Sequence, residues 1–190
     1  QIVIGPYETP SAFRMALEER LRNASLRQGT DLQRLRRRVA FERLLARLFA
    51  DKEPPWLLKG GYALELRLAY QARSTRDLDL SVPEPKRLDL TSEEGISQAR
   101  ADKLHEHLQV AAERDLGDAF RFLIRAPRGE LTGAPGGGVR CGVEARLAGR
   151  TFARFHVDVG LGDPMLGEPA WVEGDPRLGF AGIPAVRIPG

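Results

Sequence analysis

Two segments of the chain alternate between apolar and polar residues, the first of them strictly, and each displays at least one acidic side chain on its polar side. The first runs from Asp77 to Val82 and the second from Thr151 to Leu161. Successive side chains of a β-strand point to opposite faces, so this alternation is typical of half-buried strands. The sequence therefore predicts a sheet with one face in the core and one face that carries carboxylates.

Two helices are predicted ahead of these strands. Residues 9–11 supply a cap and a first turn for a helix that ends near Arg27. Thr30 or Asp31 caps a second helix that reaches about Ala50, with apolar side chains at helical spacing. We interpret its four clustered arginines mostly as a solvated surface, with RNA contact as the alternative. These are Arg34, Arg36, Arg37 and Arg38.

The other patterns predict shorter elements. Further helices are expected at about residues 63–68 and 92–115, the longer one starting at Ser92. Further strands are expected at residues 56–58, 120–124 and 139–147, and the last forms a hairpin with the strand from Thr151. Residues 164–190, rich in Pro and Gly, are predicted to be loop with one late strand at 185–188.

These elements indicate an α+β fold, α/β-like in places, with a mixed and mostly antiparallel sheet and helices packed on one side. With 190 residues and 42% hydrophobic content, the chain is expected to form a single unit, residues 1–190. Within it we expect a helical N-terminal part, a catalytic core and a C-terminal segment. They span residues 1–52, 56–163 and 164–190.

Composition excludes several classes of site. Cys141 is the single cysteine, so an internal disulfide or a multi-thiolate zinc site is excluded. No apolar run approaches the roughly 20 residues that cross a bilayer, so we expect a soluble, cytoplasmic protein with no membrane partner. A pI of about 9.3, with many arginines, favours a polyanionic partner such as a nucleotide or RNA. Biased composition is the alternative explanation.

The carboxylate face carries the predicted chemistry. Strand alternation places Asp77 and Asp79 on one face, and the same alternation exposes Asp158. Like charges this close repel, and a cation relieves the repulsion. If the two strands are neighbours, three carboxylates form an oxygen-rich site suited to Mg²⁺ or Mn²⁺. Asp158 would then bind an ion or accept a proton from an attacking hydroxyl.

A double glycine upstream predicts a nucleotide site. Gly60 and Gly61 permit close backbone approach, and the helix after them offers free N–H groups to a triphosphate. Nearby cations can neutralise phosphate charge, namely Lys59, Arg73 and Arg76. Each element alone has a plainer explanation, because Asp-x-Asp is often solubilising and Gly-Gly is usually a turn. The combination is what favours catalysis.

Other polar residues have plainer interpretations. His105 and His107 point to different faces of a predicted helix, which does not favour a metal site. His156 shares the face of Asp158 and is taken as an exposed strand residue that could touch substrate. Asp163 follows the strand beside Gly162 and is explained as well by a turn as by catalysis.

Three motifs carry a family resemblance. They are KGGYAL from Lys59, RSTRDLDL from Arg73 and VDVGLGD from Val157. In order and residue type they resemble the motifs of the AbiEii/AbiGii-type nucleotidyltransferase toxins, which belong to the polymerase-beta-like superfamily. The resemblance implies a nucleotidyltransferase fold and transfer of a nucleoside monophosphate from an NTP to an acceptor, which in relatives is RNA such as tRNA. It also implies a cognate antitoxin.

The resemblance assigns roles by position. Gly60 and Gly61 match the glycine pair and Thr75 matches a small hydroxyl residue. The metal carboxylates match Asp77 and Asp79, and the third carboxylate matches Asp158. The chain departs from the pattern in a wider gap after Gly61 and in Ser74, where an aromatic residue is often found. Relatives also carry a helical lobe with a functional lysine after the third carboxylate, which we expect to be absent from residues 164–190.

Two other functions remain open from the sequence. A catalytically inactive RNA-binding or antitoxin-binding module of the same fold would bind RNA through its basic helix, with a steep salt dependence and no response to magnesium or NTP. A glycosyltransferase also uses Asp-x-Asp to hold a metal against a diphosphate, but such enzymes usually need a larger nucleotide-binding fold.

Overall fold

The computed structural model describes residues 4–68, 75–90, 97–127, 136–163 and 168–190. Helix α1 spans Pro10–Gln28, and the side chain of Thr9 accepts a hydrogen bond from the backbone of Ala12. Helix α2 spans Leu32–Leu48 and is capped by Asp31. Both predicted helices are confirmed, and both caps satisfy N–H groups that a helix start leaves unpaired.

A five-stranded sheet forms the centre of the fold. Its strands are β1 (Leu57–Lys59), β2 (Leu78–Val82), β3 (Phe120–Ile124), β4 (Gly138–Leu147) and β5 (Arg150–Leu161). Their order across the sheet is β1-β2-β5-β4-β3, with β2 and β5 parallel and every other pair antiparallel. The predicted mixed, mostly antiparallel sheet and the predicted hairpin are therefore confirmed.

Two further helices flank the sheet. Helix α3 spans Gly60–Arg67 and begins directly after β1, three residues earlier than predicted. The described part of helix α4 spans Gln98–Ala112, and Ser97 caps it by accepting from the backbone of Arg100. The predicted start at Ser92 lies outside the described residues. None of the helices in the described ranges is long and apolar enough to cross a membrane.

The C-terminal segment contains more structure than predicted. Strands β6 (Trp171–Glu173) and β7 (Arg187–Pro189) pair antiparallel, and a 3₁₀ helix at Pro176–Ala181 lies between them. The late strand is confirmed with a shift of two residues, while β6 was not predicted. Val172 and Ile188 pair across this ribbon and are buried, so it covers part of the core despite its many prolines.

The arginines of α2 correct the prediction of a solvated surface. Arg38 is buried and pairs with Glu65 of α3, and Arg36 pairs with Glu18 of α1. Farther along the same helix, Arg43 and Arg47 are also buried and both contact Asp118. Helix α2 is therefore enclosed by other elements, and its arginines link them through ion pairs.

Helix α4 covers the outer edge of the sheet. The side-chain amide of Gln109 accepts from the backbone N–H of Ile124 and donates to the carbonyl of Phe122. His105 contacts the carbonyl of Ile124 at 2.7 Å, and His107 contacts that of Leu88 at 3.0 Å. Gln109 and His105 thus occupy backbone groups that the edge strand β3 would otherwise offer to another chain, and His107 ties α4 to the segment after β2. Both histidines therefore have structural roles.

Candidate active site

Four charged residues form one row across four neighbouring strands. Lys59 of β1 lies opposite Asp79 of β2, Asp79 lies opposite Asp158 of β5, and Asp158 lies opposite Arg140 of β4. Residues in direct register on adjacent strands share a face and have their Cβ atoms about 5 Å apart. We call these four residues the charge row. Two carboxylates lie side by side at its centre, with a cation on each flank.

The setting of the two central carboxylates disfavours their negative charge. Burial and repulsion from Asp158 raise the pKa of Asp79, although Lys59 and the backbone N–H of Gly61 act in the opposite direction. Burial also raises the pKa of Asp158, opposed by the charge of Arg140. In both cases the causes that penalise the negative charge outweigh those that favour it. This end of the sheet therefore favours the arrival of another cation.

Asp77 lies one residue before β2, and its carboxylate is engaged by two other side chains. Its Oδ2 accepts a hydrogen bond of 2.7 Å from Nη2 of Arg140, and its Oδ1 lies 3.4 Å from Nδ1 of His156. Nε of Arg140 also lies 2.9 Å from Oδ1 of Asp158. Oδ1 of Asp158 is buried, and this ion pair is the contact that the structure gives it. Arg140 therefore bridges Asp77 and Asp158.

The predicted three-carboxylate set is thus assembled only in part. Asp79 and Asp158 adjoin each other, while the carboxylate of Asp77 is engaged by Arg140. Among the described residues, no three His, Cys, Asp or Glu side chains are gathered closely enough to hold a metal ion as they stand. The donors nevertheless suit a hard divalent ion, because they are oxygen atoms whose negative charge is not balanced by their neighbours.

The double glycine packs directly against this site. Gly60 has a φ of +69°, and a Cβ there would lie 2.1 Å from Oδ2 of Asp79. Gly61 donates its backbone N–H to Asp79, and a Cβ there would lie 3.0 Å from Cβ of Thr75. Gly60 requires glycine because of its left-handed φ and this contact, whereas a side chain at Gly61 would force Thr75 to shift by a few tenths of an ångström. The start of α3 therefore lies against both Asp79 and Thr75.

The other predicted nucleotide-binding residues lie in different settings. Thr75 is next to the site, where its Oγ1 donates to the carbonyl of Asp77 at 3.0 Å. Lys59, in the charge row, forms an ion pair of 2.5 Å with Asp163 beyond the end of β5. Asp163 is therefore more than a turn residue. Arg73 lies outside the described residues.

An arginine-rich groove of about 740 Å³ opens beside Asp77. Five arginines line it, against the two carboxylates of Asp77 and Glu144. His156 and Phe155 also line it. We call this the arginine groove, and its arginines are Arg37, Arg76, Arg125, Arg140 and Arg154. Its excess of positive charge suits a phosphate-rich ligand.

The sequence prediction missed three residues of this region. Arg140 was not singled out, although it contacts two of the three predicted carboxylates. Arg38 and Glu65 form a buried pair, and Glu65 also accepts the backbone N–H of Thr75. Spacing gives a signal for Glu65, because it lies four residues after Gly61 and so shares its helix face. Arg38 has no such signal.

Comparison with known families identifies the family of this chain. The profile of the family described as "Nucleotidyl transferase AbiEii toxin, Type IV TA system" matches residues 43–189, which include the charge row, both glycines and Asp163. No curated protein matches the chain. The family match covers more than half of the sequence and agrees with the observed α+β fold, so the chain belongs to the AbiEii nucleotidyl transferase toxin family of type IV toxin–antitoxin systems.

Proposed function

We propose that this chain transfers a nucleoside monophosphate from an NTP to an RNA acceptor such as tRNA, and that this reaction makes it the toxin of its toxin–antitoxin pair. The charge row is the observation that carries the proposal. Two adjacent carboxylates flanked by Lys59 and Arg140 combine donors for a divalent ion with cations for the phosphates that arrive with it. The proposed setting is the cytoplasm, where NTPs and RNA are present.

A divalent ion, Mg²⁺ or Mn²⁺, is proposed to bind at the centre of the row. Asp79 and Asp158 provide oxygen ligands, and the raised pKa values of both carboxyls support a need for further positive charge. Asp77 would complete the set if Arg140 turned from it toward the substrate phosphates. A bound ion would polarise the α-phosphate and offset the charge on the pyrophosphate that leaves as the acceptor hydroxyl forms its new bond.

The NTP is assigned to the side of the row where α3 begins. The first turn of α3 directs its N–H groups to this end, and anions bind favourably there. Gly60 has no side chain, which lets the carboxylate of Asp79 pack directly against the start of α3. Lys59 supplies positive charge once the triphosphate competes with Asp163 for its ammonium group. Thr75 lies beside these groups, and Arg73 joins them by its position in the motif.

The acceptor is assigned to the arginine groove on the other side of Asp77. Its arginines are suited to a phosphodiester backbone, because guanidinium groups pair with phosphates in two-point contacts. The groove opens beside Asp77 and His156, so an acceptor bound there brings a hydroxyl toward the carboxylates. Asp158 is proposed to accept the proton of that hydroxyl through a carboxylate oxygen that does not bind the ion.

Transfer of label from NTPs to RNA tests this function. The protein is incubated with each α-labelled NTP, total RNA and Mg²⁺, and we expect label in RNA. Asp79→Ala should lower the rate by about 10³-fold, because a ligand of the phosphoryl-transfer site is lost. Asp102→Ala is the matched control, because Asp102 is an exposed carboxylate on α4 and its loss should leave the rate unchanged. Equal rates in the native protein and Asp79→Ala would refute the proposal.

The ion pairs of Arg140 favour a second function. Arg140 bridges Asp77 and Asp158, so its guanidinium already supplies these two carboxylates with positive charge, as in a site that binds and does not turn over. In that case the chain binds RNA or its cognate antitoxin through the basic surface and performs no transfer. Thermal unfolding separates the two functions: a catalytic site gives a rise in Tm that needs both Mg²⁺ and NTP. A binding module gives RNA binding that weakens steeply with salt and is indifferent to both.

A further inference from the structure

A chain of contacts leads from the middle of α2 to Asp77. Arg38 of α2 donates from Nη2 to Oε2 of Glu65 on α3 at 2.9 Å. The other carboxylate oxygen of Glu65, Oε1, accepts the backbone N–H of Thr75. Oγ1 of Thr75 then contacts the backbone of Asp77, with its carbonyl at 3.0 Å and its N–H at 3.4 Å. Two buried side chains therefore hold the turn that carries a proposed metal ligand.

Helix α3 docks this turn at two points. Gly61 and Glu65 are four residues apart and lie on the same helix face. Gly61 packs against the side chain of Thr75, while Glu65 accepts its backbone N–H. Both the side chain and the backbone of Thr75 are thus fixed by α3, the helix whose first turn also contacts Asp79. This arrangement sets Asp77 and Asp79 relative to the same helix.

Stability alone does not account for this buried pair. The side chain of Glu65 is 1% exposed and that of Arg38 is 9% exposed, so both charges are almost fully desolvated. Replacing a buried ion pair with well-packed apolar residues is often neutral or stabilising. An apolar residue at position 65 would, however, leave the N–H of Thr75 without its acceptor. The carboxylate of Glu65 therefore supplies a hydrogen-bond acceptor for the N–H of Thr75, which apolar packing does not supply.

We propose that Glu65, held in place by Arg38, is a positioning residue that fixes the Thr75–Asp77 turn so that Asp77 reaches the charge row. The proposal rests on the proposed function for its consequence, which is metal binding. Its geometric part, the bond from Thr75 to Glu65, is independent of any reaction. The two parts therefore have separate readouts.

The test compares Glu65→Leu with Glu65→Gln. In Glu65→Leu we expect the amide of Thr75 to exchange with solvent about tenfold faster by NMR, because its acceptor is lost. The Kd for Mn²⁺ should weaken by about tenfold or more, as when a residue supporting a metal ligand is removed. Glu65→Gln keeps an oxygen acceptor and should restore the slow exchange and much of the affinity.

A matched control separates positioning from general destabilisation. Arg43→Met removes a buried arginine from the same helix, one that contacts Asp118 at 2.7 Å and lies outside the site. We expect a lower Tm but unchanged Mn²⁺ affinity and unchanged exchange at Thr75. Thr75→Val removes only the hydroxyl from a partly exposed residue and serves if Glu65→Leu does not fold. It should weaken Mn²⁺ binding in the same way.

The outcomes distinguish the two proposals. Native-like exchange at Thr75 in Glu65→Leu, or native Mn²⁺ affinity in both Glu65→Leu and Thr75→Val, would overturn the positioning role. Equal loss of affinity in Arg43→Met would overturn it as well. If the native protein binds no Mn²⁺ and transfers no label, the proposed function fails. The exchange rates at Thr75 then still decide whether Glu65 fixes the turn.

Discussion

Asp118 and the central pair of the charge row are the same kind of side chain, yet their pKa values shift in opposite directions. Asp118 is 1% exposed, and burial pushes its pKa upward. Arg47 donates to both of its carboxylate oxygens, at 2.6 and 3.0 Å, and Arg43 donates to one of them at 2.7 Å. Together these contacts outweigh burial and hold the pKa of Asp118 below its ordinary value.

The charge row lacks this compensation. Asp79 and Asp158 are less buried than Asp118, yet burial together with a like charge nearby raises their pKa values, because each has only a single flanking cation to oppose these effects. Two arginines for one carboxylate make a structural link between α2 and the chain just before β3. Two carboxylates with one cation on each flank make a site that still attracts positive charge. Local charge balance thus separates the residues that hold the fold from those assigned to chemistry.

Removing the charge of Asp118 should give the largest effect on stability. Asp118→Asn leaves Arg43 and Arg47 buried without a negative partner, so we expect the free energy of unfolding to fall by about 3–5 kcal/mol. Urea denaturation at neutral pH measures the change. The control is Asp115→Asn, an exposed carboxylate paired with Arg121, which should change stability by less than about 0.5 kcal/mol. If both variants changed the free energy of unfolding by similarly small amounts, Asp118 would have no special structural role, and its contrast with the charge row would be lost.

Glu42 extends the comparison to a buried carboxyl whose neighbours do not balance burial. Burial raises the pKa of Glu42 to about 7, opposed only in part by the hydrogen bond from Tyr62 and the charge of Arg43. The folded state therefore holds a proton there that the unfolded state releases above pH 4.5. This contribution to stability is complete below pH 4.5 and is lost as pH rises to about 7.

Glu42→Gln isolates that contribution, because the variant stays neutral at every pH. We expect its stability relative to the native protein to increase by roughly 2–3 kcal/mol between pH 4.5 and 7.5. Urea denaturation of both proteins at several pH values gives this difference and cancels the other titrating groups. A difference that stays constant with pH would mean that Glu42 remains ionised in the folded protein.

The central pair of the row was predictable from the sequence, and Arg140 was not. Alternation placed Asp79 and Asp158 on the polar face, and the direct pairing of β2 with β5 then makes them neighbours. Counting back through the hairpin from its turn would place Val139, an apolar residue, opposite Asp158. A register shift between Ala145 and Arg146 brings Arg140 there instead. Such bulges change the direction of side chains near functional sites, and no pattern in this sequence predicts one.

The burial of the arginines on α2 also could not be predicted from the sequence. A run of basic residues on a helix is usually solvated, and only distant partners reverse that expectation. For Arg38 the partner is Glu65, and for Arg47 it is Asp118, 71 residues away. Strand β6 was not predicted for a local reason, because the prolines and glycines around it suggest loops. Helix caps and strand faces are local properties, whereas these features depend on tertiary contacts.

The smallest expected change in stability is at Asp79, and its sign is opposite to that of the change at Asp118. Asp79→Asn removes one of two carboxylates that repel each other, so in the presence of EDTA we expect the protein to become about 0.5–1 kcal/mol more stable. Lys59 and the N–H of Gly61 lose a charged partner in this variant, which keeps the gain small.

Adding Mg²⁺ should then stabilise the native protein and leave Asp79→Asn unchanged, because the variant has lost a ligand. Thermal unfolding of the native protein and Asp79→Asn, first with EDTA and then with Mg²⁺, measures the effect of the substitution and the effect of the ion. If Asp79→Asn were less stable than the native protein in EDTA, the central pair would be compensated as Asp118 is, and the charge row would belong to the fold instead of to a reaction.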